Sequence, residues 1–209
     1  MEGFAFMEIY LIRHGHCLNS TEEHFNNKKQ TMDPPLTSLG VEQANKLAER
    51  LKDIAFDKIY CSDLDRAIQT AEIIQTTVKS DIIVTPSFRE IDMGEIYKKS
   101  WNEFPDIYKN WVLHEEDIPY PCGECGMDVW KRCKKEVDII VEPNYSRIAI
   151  VSHGGTIRSM ICGILGIPQQ KRFYFGFPPE NCSVSIILRS DIDYYLHTFN
   201  DFSHLYTIN

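Results

Sequence analysis

The sequence has no apolar run near the length that a bilayer requires. Its 209 residues include no stretch of the roughly 20 consecutive apolar side chains that cross a membrane as a helix. The apolar N-terminal segment MEGFAFMEIYLI has neither the basic leading region nor the small-residue cleavage site of a signal peptide. We therefore expect a cytoplasmic protein with no membrane partner.

An excess of positive charge is also missing. Lysine and arginine total 22 against 30 aspartates and glutamates, and the formal net charge is -8. A surface with this average charge repels polyphosphates, so no nucleic-acid partner is expected. An anionic ligand must therefore be held by a local positive pocket.

The cysteines lack the pattern of a disulfide framework. Their number is odd and their positions are scattered, which predicts reduced thiols. They are Cys17, Cys61, Cys122, Cys125, Cys133, Cys162 and Cys182.

Low-complexity tracts and internal repeats are absent from the sequence too. A hydrophobic content of 43% and a charged content of 25% are ordinary for a globular protein. The length suits one hydrophobic core and is short for two. The sequence thus predicts a single domain over residues 1–209. Its assembly state is not specified, and a homodimer is expected only because dimers are the commonest soluble oligomers.

Three short apolar runs have the pattern of parallel strands buried on both faces. They are EIYLIR (8–13), KIYCS (58–62) and RIAIVS (147–152). Amphipathic helical patterns lie between them, and CSVSIIL (182–188) with DYYLHTF (193–199) predicts an antiparallel pair. The predicted fold is an α/β protein, a three-layer α/β/α sandwich whose mostly parallel sheet has an antiparallel C-terminal strand pair. Ligands of such folds bind beyond the carboxyl ends of the strands.

The segment from about 94 to 126 breaks the alternation of strands and helices. It is rich in aromatic side chains set among prolines and acids. We expect an insertion that covers the substrate beside the active site. The aromatic side chains are Tyr97, Trp101, Phe104, Tyr108, Trp111 and Tyr120.

The stretch LIRHGHCLNS (11–20) follows the first predicted strand and contains three candidate nucleophiles, His14, His16 and Cys17. A second histidine, His153, precedes a predicted helix in SHGGT (152–156), where backbone N–H groups of Gly154, Gly155 and Thr156 can point at an anion. These residues indicate a site of phosphate size.

Two arginines add fixed positive charge to the same strand ends. Arg13 precedes His14, and Arg66 falls in the first turn of a predicted helix, where the dipole opposes a cation. An arginine there needs an anionic partner, and a salt bridge to Asp63 or a neighbouring carboxylate is the alternative to a phosphoryl group. Two guanidinium forks suit the three oxygens of a transferring phosphoryl group.

Seven blocks of sequence resemble the histidine phosphatase superfamily, in family order and at similar spacing. They are LIRHG with Asn19, PLTSLGVEQA, IYCSDLDRAIQTA, FREIDMGE, PCGECGMDVWKRC, VSHGGTIR and NDFSHL. The superfamily includes cofactor-dependent phosphoglycerate mutases and α-ribazole phosphatase-like enzymes. The resemblance covers nearly the whole chain and is nearest to the phosphatase branch.

The resemblance implies a metal-independent phosphatase without a cofactor, acting on a small phosphorylated metabolite. It implies that His14 becomes a phosphohistidine and that Glu90 is the proton donor. The groups implied to hold the phosphoryl oxygens are Arg13, Arg66, His153 and Asn19. We place Cys17 and Gly154 on the substrate side of the site, although the family usually has an acid or amide at position 16 and a small hydroxyl residue at 17.

The charges of the site agree with a nucleophilic His14. The positive charge of the two arginines and of the second histidine lowers the pKa of an imidazole, and only the neutral ring has a lone pair. Spacing alone does not separate Glu90 from Asp92 and Glu95 as the acid, because like charges would raise the pKa of one of them.

Three alternatives stay open. Cys122 and Cys125, together with His114 and Cys133, have spacing compatible with four zinc ligands. A phosphoglycerate mutase is the second enzyme, although family mutases usually have a longer chain that shields the phosphohistidine from water. A catalytically silent binding module is the third possibility.

Overall fold

The computed structural model describes residues 6–18, 33–97, 99, 101–141, 144–176 and 178–206. Strands and helices alternate over most of them. They are β1 (Met7–Arg13), α1 (Ser38–Leu51), β2 (Lys58–Ser62), α2 (Asp65–Val78), β3 (Ile82–Thr85), α3 (Pro105–Leu113), α4 (Gly126–Ile140), β4 (Arg147–Ser152), α5 (Gly154–Ile164), β5 (Val184–Arg189) and β6 (Tyr194–Asp201). Short 3₁₀ helices cover Pro86–Phe88, Gly94–Tyr97, Trp101–Glu103, Gln169–Phe175 and Ser203–Leu205.

The described strands form one six-stranded sheet in the order β3-β2-β4-β1-β5-β6. Strands β3, β2, β4 and β1 pair in parallel, whereas β5 is antiparallel to both β1 and β6. The predicted sheet and its antiparallel C-terminal pair are confirmed. Because β1, β2 and β4 run in parallel, their carboxyl ends lie at the same edge of the sheet.

The sheet has a hydrophobic core on each face. Side chains alternate between the two faces of a strand, so Ile9 and Leu11 of β1 face one core while Tyr10 and Ile12 face the other. Helices α4 and α5 cover the first core, and α1 and α2 cover the second. This arrangement confirms the predicted three layers.

Strand β3 was not among the predicted strands. It has only four residues and lies at an edge of the sheet, where Ile83 and Val84 are exposed. A run this short shows no periodicity that separates a strand from a loop. Among the described residues, no helix is both long and apolar enough to cross a membrane.

The segment 94–126 contains a helix, α3, that the sequence pattern did not predict. The two ends of the segment are hydrogen-bonded to each other, since Glu95 N–H donates to Pro121 O at 2.9 Å and Glu124 N–H donates to Asp92 O at 2.8 Å. Gly94 has a φ of +53°, and a Cβ there would lie 2.0 Å from Pro121 O. The chain therefore enters and leaves this segment at one place. Its role as a substrate cover stays a prediction.

Candidate active site

His14 lies directly after β1, and only 4% of its surface is exposed. Its Nδ1 is 2.7 Å from the carbonyl oxygen of Gly15. A carbonyl can only accept, so Nδ1 has the proton and Nε2 has the lone pair. The guanidinium of Arg66 reaches that second nitrogen, with Nε at 3.3 Å from Nε2. The nitrogen able to attack an electrophile is therefore Nε2.

The neutral state of His14 has a stronger cause than the one predicted from sequence. Burial lowers the pKa of His14 well below 6.5, and the positive charges of Arg66 and Arg13 lower it further. The prediction named only positive charge, from the two arginines and the second histidine. Desolvation is the larger cause, because burial removes most of the water that would stabilise the charged form of the ring.

His153 follows β4 and is fully buried beside His14, with ring centroids 5.0 Å apart. Its Nε2 is 2.9 Å from Ser62 Oγ, and that oxygen accepts a hydrogen bond from Leu64 N–H. A hydroxyl has one proton and two lone pairs, so Ser62 Oγ can accept from Leu64 N–H and still either donate to His153 Nε2 or accept from it. Among the described residues, no acceptor contacts Nδ1. Burial, followed by the charge of Arg66, also lowers the pKa of His153 well below 6.5.

The two predicted arginines lie in the same site. Arg13 donates to the carbonyl oxygen of Pro179, while its buried Nε has no acceptor within the part of the chain that the structure describes. Burial lowers the pKa of Arg13, and the negative charge of Glu90 acts in the opposite direction. Arg66 lies in the first turn of α2, as predicted.

Of the predicted alternative partners of Arg66, Asp63 is wrong, and another carboxylate takes its place. Arg66 pairs with Asp33 at 3.3 Å. Asp63 instead accepts two hydrogen bonds from Arg89, at 2.7 and 2.6 Å. Asp33 was not singled out from the sequence because it is far from Arg66 along the chain.

The carboxylate of Glu90 lies against the N-terminus of α5. It accepts from the N–H of Gly155 at 3.1 Å and from the N–H of Thr156 at 3.0 Å. The Thr156 hydroxyl adds a contact at 3.2 Å. The prediction that three N–H groups point at a phosphate is therefore corrected, since two of them donate to a carboxylate of the protein itself. Gly154 is the one that does not bind Glu90.

The other two candidate acids have partners of their own. Asp92 accepts from Gly94 N–H at 2.8 Å, and Glu95 pairs with Lys99 at 2.6 Å. Neither is held at the start of α5. The described geometry thus favours Glu90 among the three.

Backbone contacts that the sequence did not reveal hold the segment around His14. Asn181 Nδ2 donates to His14 O at 3.0 Å, and Cys182 N–H donates to Arg13 O at 3.1 Å. Gly15 N–H donates to Thr70 Oγ1 at 3.1 Å. Sequence patterns carry no signal for such contacts, because one partner in each is main chain.

The main chain at His16 lies very close to Gly40 of α1. A Cβ at Gly40 would lie 2.2 Å from His16 O, so only glycine fits there. The ring of His16 is 2.8 Å from Thr37 Oγ1 through Nδ1. Cys17 is buried and near enough to influence the pKa of Arg13. Asn19 lies outside the described residues, and its phosphate-binding role stays a prediction, as does the substrate-side role of Cys17.

The four candidate zinc ligands do not converge. Cys133 is buried and donates through Sγ to Ser87 O at 3.1 Å, while His114 stacks on Phe173 with centroids 4.9 Å apart. Cys122 is exposed. Within the described residues, no group of three or more histidine, cysteine, aspartate or glutamate side chains is placed to hold a metal ion.

Comparison with known proteins agrees with this geometry. Residues 9–202 match the family model of the histidine phosphatase superfamily, branch 1. A protein named probable phosphoglycerate mutase GpmB from Enterobacter sp. (strain 638) is 34% identical over 186 residues, covering 87% of this chain and 84% of the relative.

Two solved structures share the fold. A phosphoserine phosphatase mutant from Entamoeba histolytica, in complex with phosphoserine, has a TM-score of 0.78 at 28% identity, covering 96% of this chain and 100% of that chain. The α-ribazole phosphatase from Shigella flexneri has a TM-score of 0.77 at 25% identity, covering 94% and 97%. The chain therefore belongs to the histidine phosphatase superfamily, branch 1.

Proposed function

We propose that the protein is a metal-independent phosphatase that hydrolyses a small-molecule phosphomonoester through a phosphohistidine on His14. Arg13, Arg66 and His153 would hold the phosphoryl oxygens, and Glu90 would transfer the protons. The superfamily membership and the phosphatases among the structural neighbours support this reaction class.

The proposal depends above all on the donors around Nε2 of His14. Arg13 Nε and His153 Nδ1 are buried, and neither has a hydrogen-bond partner among the described residues. The proposal places the ring proton of His153 on Nδ1, which makes both atoms donors. Buried donors without partners are rare because each loses its hydrogen bond to water without compensation. The oxygens of a phosphoryl group would accept from both while the phosphorus faces the lone pair of Nε2.

Each chemical step has a group available for it. The Nε2–P bond forms as the P–O bond to the leaving group breaks, and Glu90, protonated at the start of this step, gives that leaving oxygen its proton. Water then forms a new P–O bond, the N–P bond breaks, and the Glu90 carboxylate takes the proton from water. The net products are an alcohol and inorganic phosphate.

Trapping of the phosphoenzyme tests the proposal. After rapid quenching with a ³²P-labelled phosphomonoester, we expect protein-bound label that is lost in acid and stable in alkali, as a phosphoramidate is. His14→Ala should abolish labelling and lower turnover at least about 10⁴-fold. His197→Ala, at an exposed position of β6, should retain both. Label on Cys17, or turnover retained by His14→Ala, would reject the assignment.

The second candidate is a phosphoglycerate mutase, which the name of the curated relative favours. A mutase passes the phosphoryl group to a phosphoglycerate, whereas a phosphatase passes it to water. We expect labelled phosphoenzyme mixed with 3-phosphoglycerate to release the label as inorganic phosphate. Label in bisphosphoglycerate would instead support the mutase, and no labelling at all would support a silent binding module.

A further inference from the structure

The loop that contains Glu90 is held by an arginine outside the proposed catalytic set. Arg132 projects from α4 and donates to three carbonyl oxygens of the segment 87–90. The distances are 2.8 Å to Ser87 O, 2.8 Å to Arg89 O and 3.2 Å to Glu90 O. One guanidinium therefore binds main-chain carbonyl groups that precede Glu90 and the carbonyl group of Glu90 itself.

The guanidinium is itself held by Glu124. Arg132 Nε is 2.8 Å from Glu124 Oε1, and Nη2 is 3.0 Å from Oε2. The same Oε2 accepts from Asp92 N–H at 3.0 Å. Glu124 and Arg132 together thus bind the chain before, at and after Glu90. A bidentate pair of this kind fixes the plane of the guanidinium as well as its position.

The Glu90 side chain is fixed separately at its other end. Its carboxylate binds Gly155 N–H and Thr156 N–H at the start of α5. The helix supplies the direction of the carboxylate, while Arg132 supplies the position of the backbone from which the side chain extends. If the backbone moved, the carboxylate would have to leave the N–H groups or lose its approach to the leaving oxygen.

Arginine suits this position for a reason that lysine does not share. A guanidinium has five N–H donors in a rigid plane, whereas an ammonium has three donors on one atom. A lysine at position 132 would keep the charge and pair with Glu124, but it would not reach three carbonyls as well.

We propose that Arg132, oriented by Glu124, is a positioning residue that sets the place of Glu90 for proton transfer to the leaving group. This inference depends on the acid role of Glu90 under the proposed function. Its consequence is selective, because an acid is needed most when the leaving group is a poor one. Loss of Arg132 should therefore harm alkyl phosphates and spare p-nitrophenyl phosphate, whose leaving group needs little protonation.

The test is the rate of phosphoenzyme formation, measured by rapid quench for p-nitrophenyl phosphate and for ethyl phosphate. Glu90→Gln is the reference and should lose about 10²- to 10⁴-fold on the alkyl substrate and far less on the aryl one. For Arg132→Lys we expect a loss of about 10- to 100-fold on ethyl phosphate, since a displacement near 1 Å has effects of that size, and little change on p-nitrophenyl phosphate. Glu124→Gln should show the same preference in weaker form.

A matched control variant distinguishes a general structural effect of an Arg→Lys substitution from a positioning effect on Glu90. Arg147 also pairs with a glutamate, Glu8, but at the opposite end of β1 and β4 from His14. Arg147→Lys should change both rates equally and slightly. Thermal unfolding of each variant identifies one that does not fold, and if Arg132→Lys does not fold, Glu124→Gln decides by the same ratio of rates.

The outcomes separate the two proposals. Equal losses on both substrates in Arg132→Lys, with a selective loss in Glu90→Gln, would overturn the positioning role and leave the acid intact. Equal losses in Glu90→Gln would reject the acid role itself, and the inference with it. A selective loss in both variants supports both proposals.

Discussion

Two regions of the molecule differ in how they are built. The strand-end pocket (Arg13, His14, Arg66 and His153) is largely withdrawn from solvent, and hydrogen bonds to Gly15 and Asn181 hold His14. The described part of the segment 94–126 consists mainly of 3₁₀ turns and the short helix α3, on which Val112 and Leu113 are each 48% exposed.

Under the proposed function, this difference would separate the reaction from the recognition of the substrate. Transfer of a phosphoryl group needs donors that are already oriented when charge develops, and buried side chains at the ends of packed strands supply them. Selection among substrates needs a surface that can vary. The segment 94–126 offers one, since its ends are bound and most of its helix faces solvent.

Replacement of Arg66 by lysine would test the pocket most severely. Arg66→Lys keeps the charge but loses the planar fork, so we expect kcat/KM to fall by about 10²- to 10³-fold for aryl and alkyl phosphates alike. Arg50→Lys is the matched control, because Arg50 also projects from a helix and pairs with an aspartate, Asp201, at 2.6 Å. A loss confined to alkyl phosphates would contradict the assignment of Arg66 to the phosphoryl oxygens.

The buried histidines of the pocket should make stability depend on pH. Their pKa is lowered on folding, so below pH 6.5 the unfolded chain binds protons that the folded chain does not. The free energy of unfolding should therefore fall as the pH falls, by about 1.4 kcal/mol per pH unit for each fully buried histidine. Half-buried His204, whose pKa is lowered to about 4, mainly by burial, acts in the same direction.

Urea unfolding at pH 7.5 and pH 5.5 measures this dependence. His153→Gln removes one of the proton-binding groups and should reduce the difference between the two pH values, whereas His197→Gln at an exposed position should not. A difference unchanged in His153→Gln would show that this ring is not kept neutral by the fold.

The connection between the ends of the segment 94–126 can be broken at Gly94. Gly94→Ala places a Cβ against Pro121 O at a positive φ, and we expect a loss of about 1–3 kcal/mol beyond the cost of the backbone conformation. Gly166→Ala is the control, because Gly166 has a φ of +66° with nothing within 4 Å of a Cβ. Equal urea midpoints for the two variants would mean that the backbone contact adds nothing.

Removal of metal ions should have the smallest effect. If Arg13, Arg66 and His153 provide the charge that the phosphoryl group needs, EDTA should leave kcat/KM unchanged, because no cation takes part. Activity lost in EDTA and restored by stoichiometric zinc would instead revive the cysteine pair as a metal site.

The sequence predicted most of the fold because its buried strands are continuous apolar runs and its helices are amphipathic. It also named the residues that meet at the carboxyl ends of β1, β2 and β4, since parallel strands bring those ends together. It did not predict β3, which is short and lies at an edge, or α3, which is surrounded by proline and aromatic residues.

The contacts of individual side chains were harder to predict from the sequence. Glu90 binding at the start of α5 and Asp33 pairing with Arg66 both depend on loops whose paths no periodicity encodes. The same limit applies to Arg132, whose partners are carbonyl oxygens that every residue has. Sequence patterns identify chemically unusual side chains. A main-chain acceptor occurs in every residue, so the sequence does not show which one a side chain will bind.

The adjoining ends of the segment 94–126 make it an exchangeable module. Hydrogen bonds between residues 92–95 and 120–124 join the two ends of the segment. A longer or shorter chain between these ends therefore need not alter the spacing of β3 and α4. Doubling the length of a flexible loop costs only about 0.6 kcal/mol in closure entropy. If the proposed function holds, a lineage could therefore replace the interior of this segment to acquire a different substrate while inheriting His14, the arginines and Glu90 without change.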